Sequence, residues 1–236
     1  MALLNPDSVS RELRRFRVAV GYFTRIPMGT ISGFSDSDLD HASQYLPWIG
    51  LGIGAIAAGV FWFSTLWLPQ PAAAVLAVVP GLLMTGCFHE DGLADVCDGF
   101  GGGFAPADKL RIMKDSRIGT YGATALWVVL SLRTAILAFL DPVLGIVLLV
   151  VAHALSRIAP LVLIYLLDYV QDADAARAKP VAQGVPSRGL LVGLAVVVPL
   201  GLWQLQLTVV AALILVVAVF LLARLCVHQI GGYTGD

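Results

Sequence analysis

Six of the sixteen acidic residues, Glu90, Asp91, Asp95, Asp98, Asp108 and Asp115, crowd into positions 90–115. Their core reads His89-Glu90-Asp91-Gly92-Leu93-Ala94-Asp95-Val96-Cys97-Asp98-Gly99. On a helix, Asp91, Asp95 and Asp98 stand at i, i+4 and i+7, within about 60° of one another at 100° per residue. Like charges so placed repel and destabilise a helix. A hard divalent cation such as Mg²⁺, which takes oxygen ligands, is the natural compensation. Gly92, Leu93 and Ala94 leave room beside the carboxylates for a bulky anion or a second helix. The competing reading is a solvated acidic helix end, although acids at a helix C-terminus oppose the macrodipole.

Around this block lie cations suited to phosphate oxygens. Gly99-Phe100-Gly101-Gly102-Gly103 offers unhindered backbone amides, and Lys114-Asp115-Ser116-Arg117-Ile118-Gly119-Thr120 follows. Cations beside a carboxylate-bound metal are what phosphoryl transfer needs, although a helix cap with surface charges would read the same way. Arg157 sits inside an apolar run with His153 one turn before it. A charge at that depth costs a few kcal/mol and faces a partner or a wet cavity. Arg133 is nearer the outer end of its run and snorkelling explains it, as it does Arg224. Arg25 follows an amphipathic segment, and Gly231-Gly232-Tyr233-Thr234-Gly235-Asp236 brings a hydroxyl and a carboxylate to the same side, unless it is a disordered tail.

The elements that must position these residues are membrane helices. Of 236 residues, 58% are hydrophobic and 13% charged, with a mean hydropathy of +0.84, against about 25% charged in an ordinary soluble domain. A soluble enzyme, a disordered chain and a nucleic-acid binder are thereby excluded, and the net charge of −1 supplies no polycationic surface. Cys87, Cys97 and Cys226 read as reduced bystanders. A span needs about 20 mostly apolar residues. Six runs qualify or nearly so: Leu46–Leu68, Ala72–Phe88, Gly119–Phe139, Val143–Leu167, Leu190–Trp203 and Thr208–Val227. The second is expected to continue as helix beyond the membrane, and the last two to turn near Gln204 and Gln206.

Lys and Arg assign the sides. They occupy the segment before Leu46, the loop carrying Lys109 to Arg117, and the loop carrying Arg177, Lys179 and Arg188. The turns at Pro69–Pro71, Leu140–Pro142 and Gln204–Leu207 have none. The expectation is an all-α polytopic bundle of about six spans with both termini cytoplasmic, in a single domain, 1–236. Residues 1–45 form a cytoplasmic or interfacial segment, and 46–236 the bundle with polar loops 89–118 and 168–189. Val9, Leu13, Phe16, Val20 and Phe23 fall within about 80° on a wheel, opposite Arg11, Arg14 and Arg15. This fits a helix lying in the lipid interface or one packed on its own protein. Gly50 and Gly54 share a face of the first span and permit close packing.

These segments together resemble the adenosylcobinamide-GDP ribazoletransferase, or cobalamin synthase, family. The resemblance rests on Phe23-Thr24-Arg25-Ile26-Pro27; Pro47 with Gly50 and Gly54; Gly86 through Asp95 with Asp98-Gly99; Met113 through Thr120; Ser156-Arg157; and Gly231 through Asp236. It implies a Mg²⁺-dependent enzyme of the bacterial cytoplasmic (inner) membrane with its active site facing the cytoplasm. The implied substrates are adenosylcobinamide-GDP and α-ribazole or its 5′-phosphate, and GMP leaves. By this resemblance Asp91, Asp95 and Asp98 hold Mg²⁺ with Glu90 as a further ligand, and Asp95 belongs to the catalytic set. Asp115 is the base for the attacking hydroxyl or another ligand. Arg25, Lys114, Arg117 and Arg157, with Thr234 and Asp236 from the tail, bind substrate. The family also implies one more hydrophobic helix after Thr-Gly-Asp. Partners are these small molecules, membrane lipids and, as an option, a second copy of the chain, but no nucleic acid. The alternatives are a CDP-alcohol phosphotransferase-like enzyme, whose expected arginine is replaced here by Asp95, and a transporter, whose site would sit at the midplane rather than one face.

Overall fold

A computed structural model describes residues 6–31, 33, 35–170 and 184–236 of the chain. The described residues are helical, apart from turns and one parallel bridge between Tyr169 and Tyr233. In chain order the helices are α1 (Pro6–Phe23), α2 (Asp36–Ala42), α3 (Leu46–Thr65), α4 (Gln70–Thr85), α5 (Phe88–Gly102), α6 (Pro106–Met113), α7 (Thr120–Phe139), α8 (Pro142–Ser156), α9 (Ile158–Leu166), α10 (Ser187–Leu194), α11 (Val197–Trp203) and α12 (Leu205–Ile230). This is the all-helical polytopic architecture expected. Arg177 and Lys179, and with them most of the 168–189 loop, lie outside the described residues.

The span count differs from six. Among the described residues four segments are long and apolar enough to cross a membrane: Ser37–Thr65, Thr120–Phe139, Pro142–Leu166 and Leu205–Ile230. A fifth is gained if α4 and α5, bent by 89°, are taken as one broken span. Contrary to expectation, the second apolar run does not continue straight. Gly86 (φ +65°) and Cys87 (φ +60°) both adopt the left-handed conformation that ends a helix, and α5 sets off in a new direction. The run Leu190–Trp203 falls into two short helices broken at Ala195–Val196, and Ser187–Trp203 as a whole is shorter than a span. Pro142–Leu166 is interrupted at Arg157, which caps α8 and α9 alike.

α3 is the centre of the bundle and packs most extensively on α8. Gly50 and Gly54 make this possible. A Cβ on Gly54 would stand 2.8 Å from both the His153 Cβ and the Leu149 carbonyl oxygen. At the end where cations are absent, Gln70 donates to the carbonyls of Leu137 (2.8 Å) and Leu140 (2.6 Å), tying the α3–α4 turn to the α7–α8 turn. Trp48 Nε1 donates to the Val192 carbonyl at 2.9 Å and fastens α10 to α3. Few residues of α12 and α7 are buried inside the protein, as suits faces solvated by lipid chains.

α1 lies along α2 and α3, with Val18, Ala19 and Phe23 buried against Leu39, Ala42 and Leu46. The buried face is turned away from part of the predicted stripe: Leu13 and Phe16 remain exposed. Both alternatives for this helix are therefore realised in part, since one side packs on the protein and the next is open to an interface. Its arginines are spent on tethering. Arg14 reaches Asp38 at 3.1 Å and Arg17 the Met28 carbonyl at 2.8 Å.

Candidate active site

The acidic residues share α5, and the helix is held at both ends by α7. At its C-terminal end Asp98, 8% exposed, accepts the Gly119 N–H at 2.7 Å on Oδ2 and the Gly122 N–H at 2.9 Å on Oδ1. The carboxylate thus caps the amino terminus of α7, where amides lack partners and the dipole favours an anion. A side chain on either glycine would collide with it. Near its start, Glu90 Oε1 lies 3.6 Å from Arg133 Nη1, well inside α7, so α5 and α7 run antiparallel. Asp98→Ala leaves these amides without their acceptor. A loss of about 2 kcal/mol is expected, read as a lower unfolding temperature of the detergent-solubilised protein; an unchanged temperature would contradict the capping role.

The expected four-carboxylate metal set does not converge. Among the described residues no three His, Cys, Asp or Glu side chains come close enough together to hold an ion. Asp98 is occupied by amides, and Glu90 faces Arg133 with its Oε2 buried and unpartnered. Asp91, exposed, and Asp95, half-buried, remain one helical turn apart on α5. Mg²⁺ is commonly held by one or two protein carboxylates, with phosphate oxygens and water completing its shell. Asp91 and Asp95 fit that pattern.

The chain's last residues reach this helix. Tyr233 donates its N–H to the Asp168 carbonyl at 3.1 Å, and Val170 N–H donates to the Tyr233 carbonyl at 2.9 Å. So pinned, the tail carries Asp236 over Gly92, where a Cβ would stand 2.7 Å from the Asp236 carbonyl oxygen. The alternative of a disordered tail is not what the fold shows. Thr234 Oγ1 and Asp236 Oδ2 are 3.3 Å apart. On the other flank, α6 folds back on the glycine-rich end of α5: Gly99 has no room for a Cβ beside Met113, and Lys109 bonds Gln229 of α12.

Arg25 and Asp91 both line an open cleft of about 780 Å³, with Thr24, Met28, Thr85 and Phe88. Its backbone N–H donates to the Met84 carbonyl at 2.6 Å, and its guanidinium lies over Gly86, where any side chain would collide. Gly86 therefore serves twice, turning the chain and admitting the arginine. Arg25 and Asp91 lie 66 positions apart in the chain. Their meeting depends on the left-handed turn, for which adjacent Gly86-Cys87 was the available signal.

Lys114 and Arg117 lie exposed in the loop before α7. Arg117 grips Asp115, with Nη2 to Oδ2 at 2.6 Å and Nε to Oδ1 at 3.0 Å. This bond, with a second from the Arg117 backbone, holds the Asp115 carboxyl down at about 2. Such a group is ionised at any working pH and is a weak base. Arg157, at the α8–α9 junction, donates to Ser156 Oγ at 2.9 Å, and its side chain runs along Gly50. The structure corrects Arg133: rather than snorkelling outward, it turns to Glu90.

Fold and site define a polytopic helical membrane enzyme with carboxylates and guanidinium groups gathered at one end of the bundle. Residues 15–236 match the cobalamin-5-phosphate synthase family. The chain is 44% identical over 239 residues to the adenosylcobinamide-GDP ribazoletransferase of Shewanella oneidensis, an alignment covering 98% of this chain and 89% of that protein. The enzymes of the same name from Shewanella putrefaciens and Shewanella baltica are 45% and 44% identical, with the same coverage. No solved structure matches the chain. The chain belongs to the cobalamin-5-phosphate synthase family, and is a transferase of cobalamin biosynthesis.

Proposed function

We propose that the protein joins adenosylcobinamide-GDP to α-ribazole or its 5′-phosphate at the cytoplasmic face of the bacterial inner membrane. A ribose hydroxyl oxygen bonds to the cobinamide-side phosphorus, the bond from that phosphorus to the GMP oxygen breaks, and the hydroxyl proton passes to solvent water. Adenosylcobalamin or its 5′-phosphate and GMP result. The observation that carries this reading is the cleft whose lining includes both Arg25 and Asp91, because transfer from a diphosphate ester draws on cations and metal-binding carboxylates in one site. Asp91 and Asp95 would hold Mg²⁺, and the metal would supply charge neutralisation for the diphosphate and its leaving group.

Arg25 holds a phosphate oxygen of the nucleotide-bearing substrate. Lys114 and Arg117 close over phosphate from the α6–α7 loop, and Arg157 approaches from the opposite end of α5. Thr234 and Asp236 border the site over Gly92. Of the two roles open to Asp115, the low basicity imposed by Arg117 favours metal ligand or loop organiser over general base. Asp98 contributes by fixing α7 against α5.

The direct test is release of GMP by the purified protein supplied with both substrates and Mg²⁺. Release that requires all three is expected. Uptake of corrinoid into vesicles without turnover would overturn the reading in favour of transport. Arg25→Gln should raise KM for adenosylcobinamide-GDP by about tenfold, the equivalent of one charge-assisted hydrogen bond, with a smaller change in kcat. An unchanged KM would remove Arg25 from the phosphate site.

A further inference from the structure

Resting on the transferase reaction assigned to this site, we propose that the apolar side of the cleft lined by Arg25 and Asp91 is the subsite for the base of the acceptor, a flat and nearly apolar ring system that stacks on Phe88. The cleft is larger than a diphosphate needs. Its volume of about 780 Å³ is that of a site for a whole small molecule. Besides Arg25 and Asp91 it is walled by Tyr22, Ile26, Met28 and Phe88. Phe88 is the first residue of α5 and is 40% exposed. Its ring is fixed edge to face by Phe23 (centroids 6.4 Å apart, planes at 76°) and by His89 (5.5 Å, 78°). Phe23, buried on α1, is held in turn by Tyr22 at 5.0 Å. A ring so fixed loses little further freedom when a second flat ring covers it.

The polar atoms of the lining decide which base fits. Thr24 Oγ1 donates to the Val20 carbonyl at 2.6 Å and accepts the Ile26 N–H at 3.1 Å, and Thr85 Oγ1 donates to the Gly81 carbonyl at 2.8 Å. Both hydroxyl protons are therefore spent within the protein. Guanine carries acceptors at O6 and N7 and an amino group at C2. With Arg25 engaged on phosphate, these edge atoms would lack side-chain partners there, and each one left unpaired costs free energy. The dimethylbenzimidazole of α-ribazole has two methyl groups and a single free ring nitrogen, so it gives up little by entering. Position agrees with chemistry. Phe88 and Asp91 stand at i and i+3 on α5 and both border the cleft, which puts them about 5–6 Å apart on one face. A ribose carried by a base on Phe88 therefore extends toward the phosphorus held beside Arg25 and Asp91, the proximity that attack on a second substrate requires.

GMP release by the full chain in phosphatidylcholine nanodiscs is measured against each substrate in turn. Phe88→Ala should raise KM for α-ribazole 5′-phosphate by about tenfold, the range of one base–aromatic stack, and leave KM for adenosylcobinamide-GDP near wild type. That is the reverse of the split expected for Arg25→Gln. Phe88→Trp should restore the wild-type KM, whereas Phe88→Leu, apolar but without a flat face, should not. Binding without turnover separates the subsite from the reaction. α-Ribazole 5′-phosphate added alone should raise the unfolding temperature of the wild type, and raise that of Phe88→Ala less at the same concentration. If this difference is seen and GMP is never released, the transferase reading fails and the subsite stands. If GMP is released and Phe88→Ala alters neither KM nor the ligand-induced rise, the subsite alone fails. A Phe88→Ala effect confined to adenosylcobinamide-GDP would put guanine in the cleft and overturn the assignment. So would a lower unfolding temperature without ligand and two unchanged KM values, the result for a ring that merely packs α1 on α5.

Discussion

Asp95→Asn is expected to lower GMP release by about 10²–10³-fold while leaving the unfolding temperature close to that of wild type. The substitution keeps the shape of the side chain and removes its charge. Asp95 is half-buried on α5, one turn from Asp91 and on the side of Gly92 where Asp236 lies. If its carboxylate shares Mg²⁺ with Asp91, the Mg²⁺ concentration needed for half-maximal rate rises as well. Asp98→Asn provides the contrast. Its carboxylate is already engaged by two amides of α7, so its replacement should lower stability and shift the Mg²⁺ requirement far less. Measured side by side, Mg²⁺ titrations of the two variants separate a ligand from a helix cap. Equal Mg²⁺ requirements in wild type and Asp95→Asn would remove Asp95 from the metal site.

Much of the fold was legible because lipid makes a simple demand of the sequence. Runs such as Gly119–Phe139 and Thr208–Val227 begin and end where polar residues do, and α7 and α12 follow them closely. Hydropathy reports how many residues leave water, however, and says nothing about the direction of the axis. The 89° bend after α4 arises from two left-handed residues, and Gly86-Cys87 contributes nothing to a hydropathy sum that would mark it. The break at Ala195–Val196 is hidden for the same reason, since both halves of that run are equally apolar.

At the site, periodicity recovered what lies on one helix and missed what comes from across a gap. The i, i+4, i+7 spacing does place Asp91, Asp95 and Asp98 on α5, yet spacing assigns them one role, and the fold divides them. Gly119 and Gly122 take Asp98 as a cap, and Arg133 draws Glu90 away from the acidic row. The two glycines are an ordinary helix start in sequence, and Arg133 an ordinary snorkelling arginine. Their significance appears only when α7 is laid antiparallel on α5. Asp115 shows the same limit at short range: its chemistry depends on Arg117, two residues on, folding back to grip it.

The largest structural effect is expected from Gly50→Leu. A Cβ at Gly50 would overlap the His153 carbonyl and stand 3.0 Å from Arg157 Cδ. That carbonyl belongs to the backbone of α8 and cannot rotate aside as a side chain could, so α3 and α8 must separate. Forcing bulk into a packed interface costs about 3 kcal/mol, and here it also moves the segment that presents Arg157. The variant should therefore lose thermal stability in detergent and most of its GMP release. Gly52→Leu is the matched control: it stands on the same helix with nothing within 4 Å of its would-be Cβ, so its midpoint should stay near wild type or rise, because leucine favours helix over glycine by about 0.5–1 kcal/mol. Equal midpoints for the two variants would mean that the glycine face does not set the approach of α8. A large loss confined to Gly50→Leu would show that one small residue on α3 sets the approach of α8, next to the break at which Arg157 stands.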